Sequence, residues 1–443
     1  MTRQTPRARR CLLPTNRLRP VLELLEDRIT PATIEWINPA GGAWDDASNW
    51  DLGRTPQPKD DVVIRPLDFQ AVIDHANGAD TVQSILSLGR DFGTLAVTHE
   101  SSLTVMGAAT VPTLAVMTGG IITANTTGIL TSNLRAEDGG QIHLPGVTEY
   151  HATIFTSIRA TGPTSLIDLP GLTSMMATTG DPIPGEALLD FIAELGGKIK
   201  LPALTSVRGH PPDYYVGFTQ LRAVNGGTFL FDTDQSVTFA AAGSLRIEPG
   251  ASVQAGQLIL AEDSVLTVEV GGVLDATSVF QQGGYATVSG SVRVSGSYTV
   301  SNGGTTSMES GTVTVGDQFV NQGAVFGFGT INGDVTNAGM LSAGNLTVNG
   351  NFTQTATGQL SLRLRGADNF DQLIVTGFAT LDGTLNLTLA SGYQPQPGDQ
   401  LQIVQFGAGS GAFARVTGNA PLFGILYIYQ PREGVQPGVT LLF

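Results

Sequence analysis

The chain has 443 residues, of which 56 are glycine and only 14% are charged, and its formal net charge is −15. The acidic surplus repels phosphate backbones and argues against nucleic-acid binding. No apolar run reaches the length of a transmembrane helix, and Cys11, the single cysteine, excludes an intrachain disulfide.

Residues 1–32 are predicted to be a basic, disordered segment associated with export, with seven arginines against three acidic residues. Their apolar part is interrupted by charges, as in Glu23 and Glu26, and makes a poor secretory signal by composition. Residues 22–32, LELLEDRITPA, resemble the LExLEDRxxPA element of planctomycete-type bacterial surface proteins of the LEPR-XLL type. The resemblance implies a secreted or cell-surface protein. The alternative is an amphipathic turn of no consequence.

Residues 33–75 are predicted to form a tryptophan-rich N-terminal cap, because all three tryptophans lie here: Trp36, Trp44 and Trp50. The order G-x-W, N-W-x-x-G and P-x-x-x-D-x-V-x-I resembles an opening module found before β-helical regions of bacterial surface proteins. Such a module has a physical purpose, since the first coil of a solenoid exposes apolar core and unpaired strand edges.

Two binding alternatives to capping are open for this segment. Trp44 and Trp50 could stack on sugar rings, which makes them candidate glycan contacts. Five aspartates could instead bind Ca²⁺, which prefers several oxygen ligands, although they follow no known calcium-loop spacing. The five are Asp45, Asp46, Asp51, Asp60 and Asp61.

Residues 76–365 are predicted to be the body of a right-handed parallel β-helix, a β-solenoid, in an all-β protein. Three similar segments begin at residues 134, 158 and 192 and carry Leu-Pro pairs at Leu144, Leu169 and Leu201, and a weaker fourth begins at residue 221. A repeat in the twenties is the length of one coil. Tandem β-sandwiches are the alternative, since they also have short strands.

One short helix is predicted near residues 186–195, inserted into a coil. Leu188, Phe191, Ile192 and Leu195 have helical spacing, and Gly196 would end the helix.

Residues 366–443 are predicted to be a β-rich end module. Together with the coils before it, this stretch resembles the last coils of autotransporter-like passengers, and the resemblance implies a β-helix that closes in such a module. The matching motifs include Asn337-Ala-Gly339, Ser342-Ala-Gly344, Asp371-Gln-Leu373, Val375-Thr-Gly377 and Pro397-Gly-Asp399.

No catalytic motif and no cofactor site is predicted. The five histidines have no zinc-enzyme spacing, and the nucleophile elbow G-x-S-x-G is missing. The segment GHPPDYY supplies three further candidate glycan contacts, Asp213, Tyr214 and Tyr215.

The sequence therefore predicts a secreted or cell-surface structural or adhesive protein without catalytic activity. Extracellular matrix, envelope or glycan surfaces are the expected partners, and the oligomeric state is left open.

The alternative is a carbohydrate-active β-helix enzyme, a polysaccharide lyase or glycoside hydrolase. An enzyme requires charged side chains in a groove along one face, for example around Asp213, Asp232 or Asp234. A scaffold predicts charged residues scattered over turns.

Overall fold

The chain winds into a parallel β-helix in which most strands pair in parallel with a strand one coil later. The computed structural model describes residues 32–89, 93–152, 156–177, 189–209, 219–420 and 424–443. Within these ranges nearly all of the regular secondary structure is β-strand, and there is no α-helix. The prediction of an all-β parallel β-helix is confirmed. The basic segment with its LELLEDRITPA motif lies outside the described residues, apart from its last residue.

One column of inward-facing side chains shows how the coils stack. In this column every residue is paired in register with the next, from Ile73 through Leu95, Leu114, Leu134, Ile158, Phe191, Leu221, Leu245, Leu266, Ala286, Thr306, Val325, Leu341, Leu360 and Leu385 to Val416. All are buried except Val416, in the last parallel coil. The number of residues per coil varies widely, but the same column of residues faces inward in every coil. A shift of the register by one residue would turn these apolar side chains outward.

The first coils carry nine short strands and one turn of 3-10 helix, Ala47–Asn49. The strands are β1 (Thr33–Trp36), β2 (Gly42–Ala43), β3 (Asp61–Ile64), β4 (Val72–His75), β5 (Ala79–Val82), β6 (Ser84–Ser87), β7 (Thr94–Val97), β8 (Ser102–Val105) and β9 (Ala109–Thr110). Strands β1, β3, β6 and β9 form a separate parallel ladder. The tryptophan-rich segment is therefore joined to the following coils by continuous strand pairing. The predicted domain boundaries stay a prediction.

The middle coils have three strands each, and so three faces. The strands are β10 (Thr113–Val116), β11 (Ile121–Ala124), β12 (Gly128–Leu130), β13 (Asn133–Glu137), β14 (Gln141–His143), β15 (Val147–Ala152), β16 (Thr156–Thr161), β17 (Leu166–Asp168), β18 (Ser174–Ala177), β19 (Leu189–Glu194), β20 (Lys198–Leu201), β21 (Ser206–Arg208), β22 (Thr219–Val224), β23 (Thr228–Phe231), β24 (Ser236–Ala240) and β25 (Gly243–Ile247). Strands β13, β16, β19, β22 and β25 stack on one face, which we call the first face.

The repeats seen in the sequence are successive coils. Ile142, Ile167 and Ile199, just before the Leu-Pro pairs, are paired in register, and Leu144, Leu169 and Leu201 are fully buried. The proposed alignment was wrong by one residue in its third copy. Ile158 pairs with Phe191, whereas the alignment had matched it to residue 192.

The predicted helix near residues 186–195 is wrong over the residues that the structure describes. Residues Leu189–Glu194 form strand β19, which is paired with β16 and β22 on its two sides. Phe191 and Ala193 alternate into the core and are both fully buried. Pairing with two neighbouring strands supplies the backbone hydrogen bonds, so the helical spacing of the leucines has no consequence here. Residues 184–188 lie outside the described residues.

In the later coils several strands run through a corner without a break, and the longest has 17 residues. The strands are β26 (Ser252–Leu260), β27 (Val265–Val268), β28 (Val273–Gln281), β29 (Tyr285–Val288), β30 (Ser291–Val294), β31 (Tyr298–Val300), β32 (Thr305–Asn321), β33 (Ala324–Asn337), β34 (Met340–Asn349), β35 (Phe352–Gln354), β36 (Gln359–Gly366), β37 (Asn369–Phe370), β38 (Gln372–Leu381) and β39 (Thr384–Leu389). Strand β27 continues the first face beyond β25.

The end of the chain changes from parallel to antiparallel pairing. The last strands are β40 (Gln400–Gly411), β41 (Arg415–Gly418), β42 (Gly424–Ile428) and β43 (Gly438–Leu442). Strand β43 pairs antiparallel with both β40 and β42, and Phe443 is buried beyond it. Across the described ranges no helix is both long and apolar enough to cross a membrane.

Candidate functional site

The three tryptophans form a buried cluster at the N-terminal end of the core. Trp50 makes edge-to-face contacts with Trp36 and Trp44, at ring-centroid distances of 5.0 and 4.8 Å. Each indole N–H donates a hydrogen bond: Trp36 to the Asn38 carbonyl, Trp50 to the Trp44 carbonyl, and Trp44 to Asp80 Oδ2. This is the packing expected of a cap, because large rings cover the exposed end of an apolar column.

The same burial bears on the predicted glycan contacts in this segment. Trp44 is 0% exposed and Trp50 is 1% exposed. Stacking on a sugar requires an open ring face, so the structure contradicts that alternative for these two residues. Asp213, Tyr214 and Tyr215 lie outside the described residues, and their role as glycan contacts stays a prediction.

The five aspartates considered for calcium hold separate partners. Asp46 caps the 3-10 turn through the Ser48 N–H, Asp51 accepts from the Glu35 N–H, Asp61 accepts from Ser84 Oγ, Asp60 pairs with Arg54, and Asp45 accepts from Asn77. Calcium binding by all five together would require them to leave these partners.

Charged side chains follow the first face of the middle coils in two rows. The register places Arg135 beside Arg159, and Arg222 beside Arg246, with Ile192 between the two pairs. A row of glutamates runs next to the arginines. We call the two rows together the charged face; its members are Arg135, Arg159, Arg222, Arg246, Glu137, Glu194, Glu248 and Glu269.

The rows of the charged face are joined by ion pairs. N–O distances of 2.7 Å link Arg135 to Glu137, Arg159 to Glu194, and Arg222 to Glu248, and Arg246 contacts Glu269. The hydrogen bond from Arg159 lowers the pKa of Glu194 below its usual range. Arg222 also donates a hydrogen bond to the carboxylate of Glu248. The charged face is thus largely neutralised by its own pairs.

Asp190 is the exception on this face. It lies in β19, in register with Ser157 and Gln220, and its Oδ1 is buried without a hydrogen-bond partner. Burial raises the pKa of the Asp190 carboxyl, although the positive charges of Arg222 and Arg159 oppose that rise. An acid with a raised pKa beside two guanidinium groups is a candidate functional group.

An open depression of about 300 Å³ lies on the same face, one coil further along. Its lining includes Gln220, Ser244, Arg246 and Asp263. Asp190 is paired with Gln220 in the register, so the acid and the depression belong to one continuous surface.

The structure shows charged side chains clustered along one face of the middle coils. The expectation that charged residues lie scattered over turns is wrong for the charged face. Asp232 does lie at a turn, where it accepts a hydrogen bond from the Asp234 N–H. The face could have been found from the aligned segments, which place Arg135, Arg159 and Arg222 at the same position of the repeat. Asp190 was missed because it was assigned to a helix.

Comparisons with known proteins give little for this chain. No protein-family model matches it, and no curated protein matches it. Among solved structures it is similar to a TibC-catalyzed hyper-glycosylated TibA55-350 fragment, with 15% sequence identity and a TM-score of 0.33. That match covers 79% of this chain and 97% of the other. At such a score the two chains differ in too much of their path for one to inform on the function of the other.

Proposed function

We propose that the protein is a non-catalytic, adhesive β-helical scaffold that works at the cell surface or after secretion. The observation that carries the proposal is the self-pairing of the charged face. Acid–base cleavage of glycans uses two carboxyl groups that are free to exchange protons. Here the glutamates of the face are held by arginines, which leaves Asp190, with an unpartnered oxygen on β19, and Asp263, in the depression three coils further along. Export rests on the motif at residues 22–32.

The expected ligand is an extended polymer with polar groups, such as a glycan of an envelope or matrix, lying along the helix axis. Successive coils are about 4.8 Å apart, the spacing of paired strands, which is close to the length of one sugar unit. The arginines of the charged face lie on β13, β16, β22 and β25, and Ile192 takes their place on β19, so such a polymer would meet a guanidinium donor at four of these five coils. Weak contacts repeated over several coils add up to useful avidity.

Binding to immobilised polysaccharides, neutral and acidic, tests the proposal with the full chain. Arg222→Gln should weaken binding several-fold, because it removes one guanidinium from the middle of the charged face. Arg293→Gln is the matched control, since Arg293 forms an exposed pair with Asp275 on strands β30 and β28, away from the first face. Equal affinity of both variants and wild type, or binding to none of the polysaccharides, would overturn adhesion through this face.

A second candidate is a carbohydrate-active enzyme, and Asp190 is the observation that favours it. A carboxyl whose pKa is raised keeps its proton to a higher pH and can act as a proton donor. The same binding samples should be assayed for newly released reducing ends. Release that is lost in Asp190→Asn and kept in Asp275→Asn would replace the scaffold by the enzyme. No release from any polysaccharide leaves the scaffold in place.

A further inference from the structure

A histidine and two aspartates meet where the tryptophan cluster joins the first coil. His75 ends strand β4, Asp80 lies in β5, and Asp45 follows Trp44. Each of the three offers one ligand atom, and these atoms all lie within 4.8 Å of one another. In the part of the chain that the structure describes, this is the one such group of three potential metal ligands.

The imidazole of His75 has a defined orientation. The side chain is completely buried, and its Nε2 lies 3.0 Å from the carbonyl oxygen of Ser102. A carbonyl only accepts hydrogen bonds, so Nε2 carries a proton. In the neutral ring Nδ1 then presents its lone pair, and this buried atom has no hydrogen-bond partner.

The unpartnered Nδ1 of His75 is directed at the two carboxylates. It lies 3.4 Å from Asp45 Oδ1 and 4.0 Å from Asp80 Oδ2. Ligands held at about 2.0–2.1 Å around a tetrahedral zinc ion are about 3.4 Å from one another. The separation between His75 and Asp45 is that of two ligands around a zinc-sized ion, and the Asp80 side chain would have to move closer to complete the set.

The groups around the three side chains also suit a metal. Metal-bound histidines usually donate their other N–H to a carbonyl or carboxylate, which fixes the ring, as Ser102 does here. Asp45 accepts a hydrogen bond from Asn77 at 3.1 Å, and Asp80 accepts one from the Trp44 indole at 3.0 Å. The carboxylates are 28% and 32% exposed, which leaves an open side for water as a fourth ligand.

We propose that Asp45, His75 and Asp80 bind one divalent transition-metal ion of the zinc type. The ligands are His75 Nδ1 and one oxygen from each carboxylate, and a water completes the tetrahedron. An imidazole nitrogen suits zinc better than Ca²⁺ or Mg²⁺, which prefer oxygen. The ion would link the turn that carries Asp45 to the first coil, which carries the other two ligands, and so would stabilise the N-terminal end of the solenoid.

The proposal is tested by titrating ZnCl₂ into chelator-treated full-length protein in a calorimeter. We expect one zinc per chain and a rise in the thermal unfolding midpoint. Asp45→Asn and Asp80→Asn should each weaken zinc binding by about 100-fold or more, since loss of a mere supporting hydrogen bond already costs about 10–100-fold. Asp168→Asn is the matched control, because Asp168 lies 3.5 Å from His143 Nδ1 in a pair without a second carboxylate.

Cobalt gives a readout that does not depend on stability. Co²⁺ in a tetrahedral site of nitrogen and oxygen ligands has intense visible absorption, which should appear with wild type and the Asp168→Asn control and be absent from Asp45→Asn. Unchanged zinc affinity in both carboxylate variants would place the ion at another histidine and overturn the proposal. Absence of zinc binding by wild type would also overturn it.

Discussion

A column of amide side chains crosses the core at one corner of the later coils and should contribute strongly to stability. Asn321, Asn337 and Gln354 are paired in register and are at most 1% exposed. Asn337 accepts a hydrogen bond from Asn321 Nδ2 and donates one to Gln354 Oε1, both at 2.7 Å. It also donates to the Gln359 carbonyl at 3.2 Å.

Replacing Asn337 by alanine breaks all three of these bonds. Asn321 Nδ2 keeps the Met340 carbonyl at 2.9 Å, so it is not left without a partner. Gln354 Oε1 loses its donor inside the core, where a buried unpaired polar group costs about 1–3 kcal/mol and each lost bond adds about 1 kcal/mol. With the other two bonds lost as well, we expect Asn337→Ala to lower the free energy of unfolding by about 3–5 kcal/mol.

Urea denaturation combined with hydrogen exchange measures this effect, since solenoid coils interact only with their neighbours and the loss should be concentrated around β33–β36. Asn349→Ala is the matched control. Asn349 donates to Asn332 one coil away at 2.8 Å, in the same kind of amide pair, but on the exposed surface. It should cost less than about 0.5 kcal/mol. Equal losses in the two variants would refute the reasoning that burial gives the amide column its strength.

Two further predictions concern coil spacing and pH. A Cβ at Gly227 would lie 1.8 Å from the Ala193 carbonyl oxygen, so Gly227→Ala should push two coils apart and lower the thermal midpoint strongly. Gly366→Ala, whose Cβ would come no closer than 3.7 Å to another atom, should leave the midpoint nearly unchanged, and equal shifts would contradict the close-packing argument. Because burial raises the pKa of Asp190 in the folded state, its ionised form destabilises the protein at neutral pH. Asp190→Asn should raise the urea midpoint there, and the gain should shrink as pH falls below the folded-state pKa and be gone below the ordinary pKa of an aspartate; a gain independent of pH would be the contrary result.

The fold was predictable because a solenoid repeats its inward positions in the sequence. The Leu-Pro pairs at Leu144, Leu169 and Leu201 give the coil directly, since each marks the same place in successive turns. Strand β19 was not predictable from local spacing. Phe191 fits a helix and a strand equally well, and only the neighbouring strands β16 and β22 decide between them.

The two surface sites differ in how far the sequence could show them. The arginines of the charged face occupy one position of a repeat, so an alignment of coils reveals their row. Asp45, His75 and Asp80 have no such relation. They come from a turn and two strands, and they meet because β2 pairs with β4 and the tryptophan cluster closes the end of the core. Contacts of that kind follow from coil stacking and capping together, which sequence spacing does not encode.

Unequal coil length is compatible with a continuous core in this fold. The inward column tolerates the extra length between Ile158 and Phe191, and again between Phe191 and Leu221, because the register resumes unchanged after each. Both additions fall in the coils that carry Asp190 and the centre of the charged face, and the second contains the predicted glycan contacts Asp213–Tyr215. A solenoid whose coils need only agree at their inward positions can lengthen its outer segments without cost to the core. The described strands on either side of each addition keep their register, so the length of chain between them is set independently of the buried column.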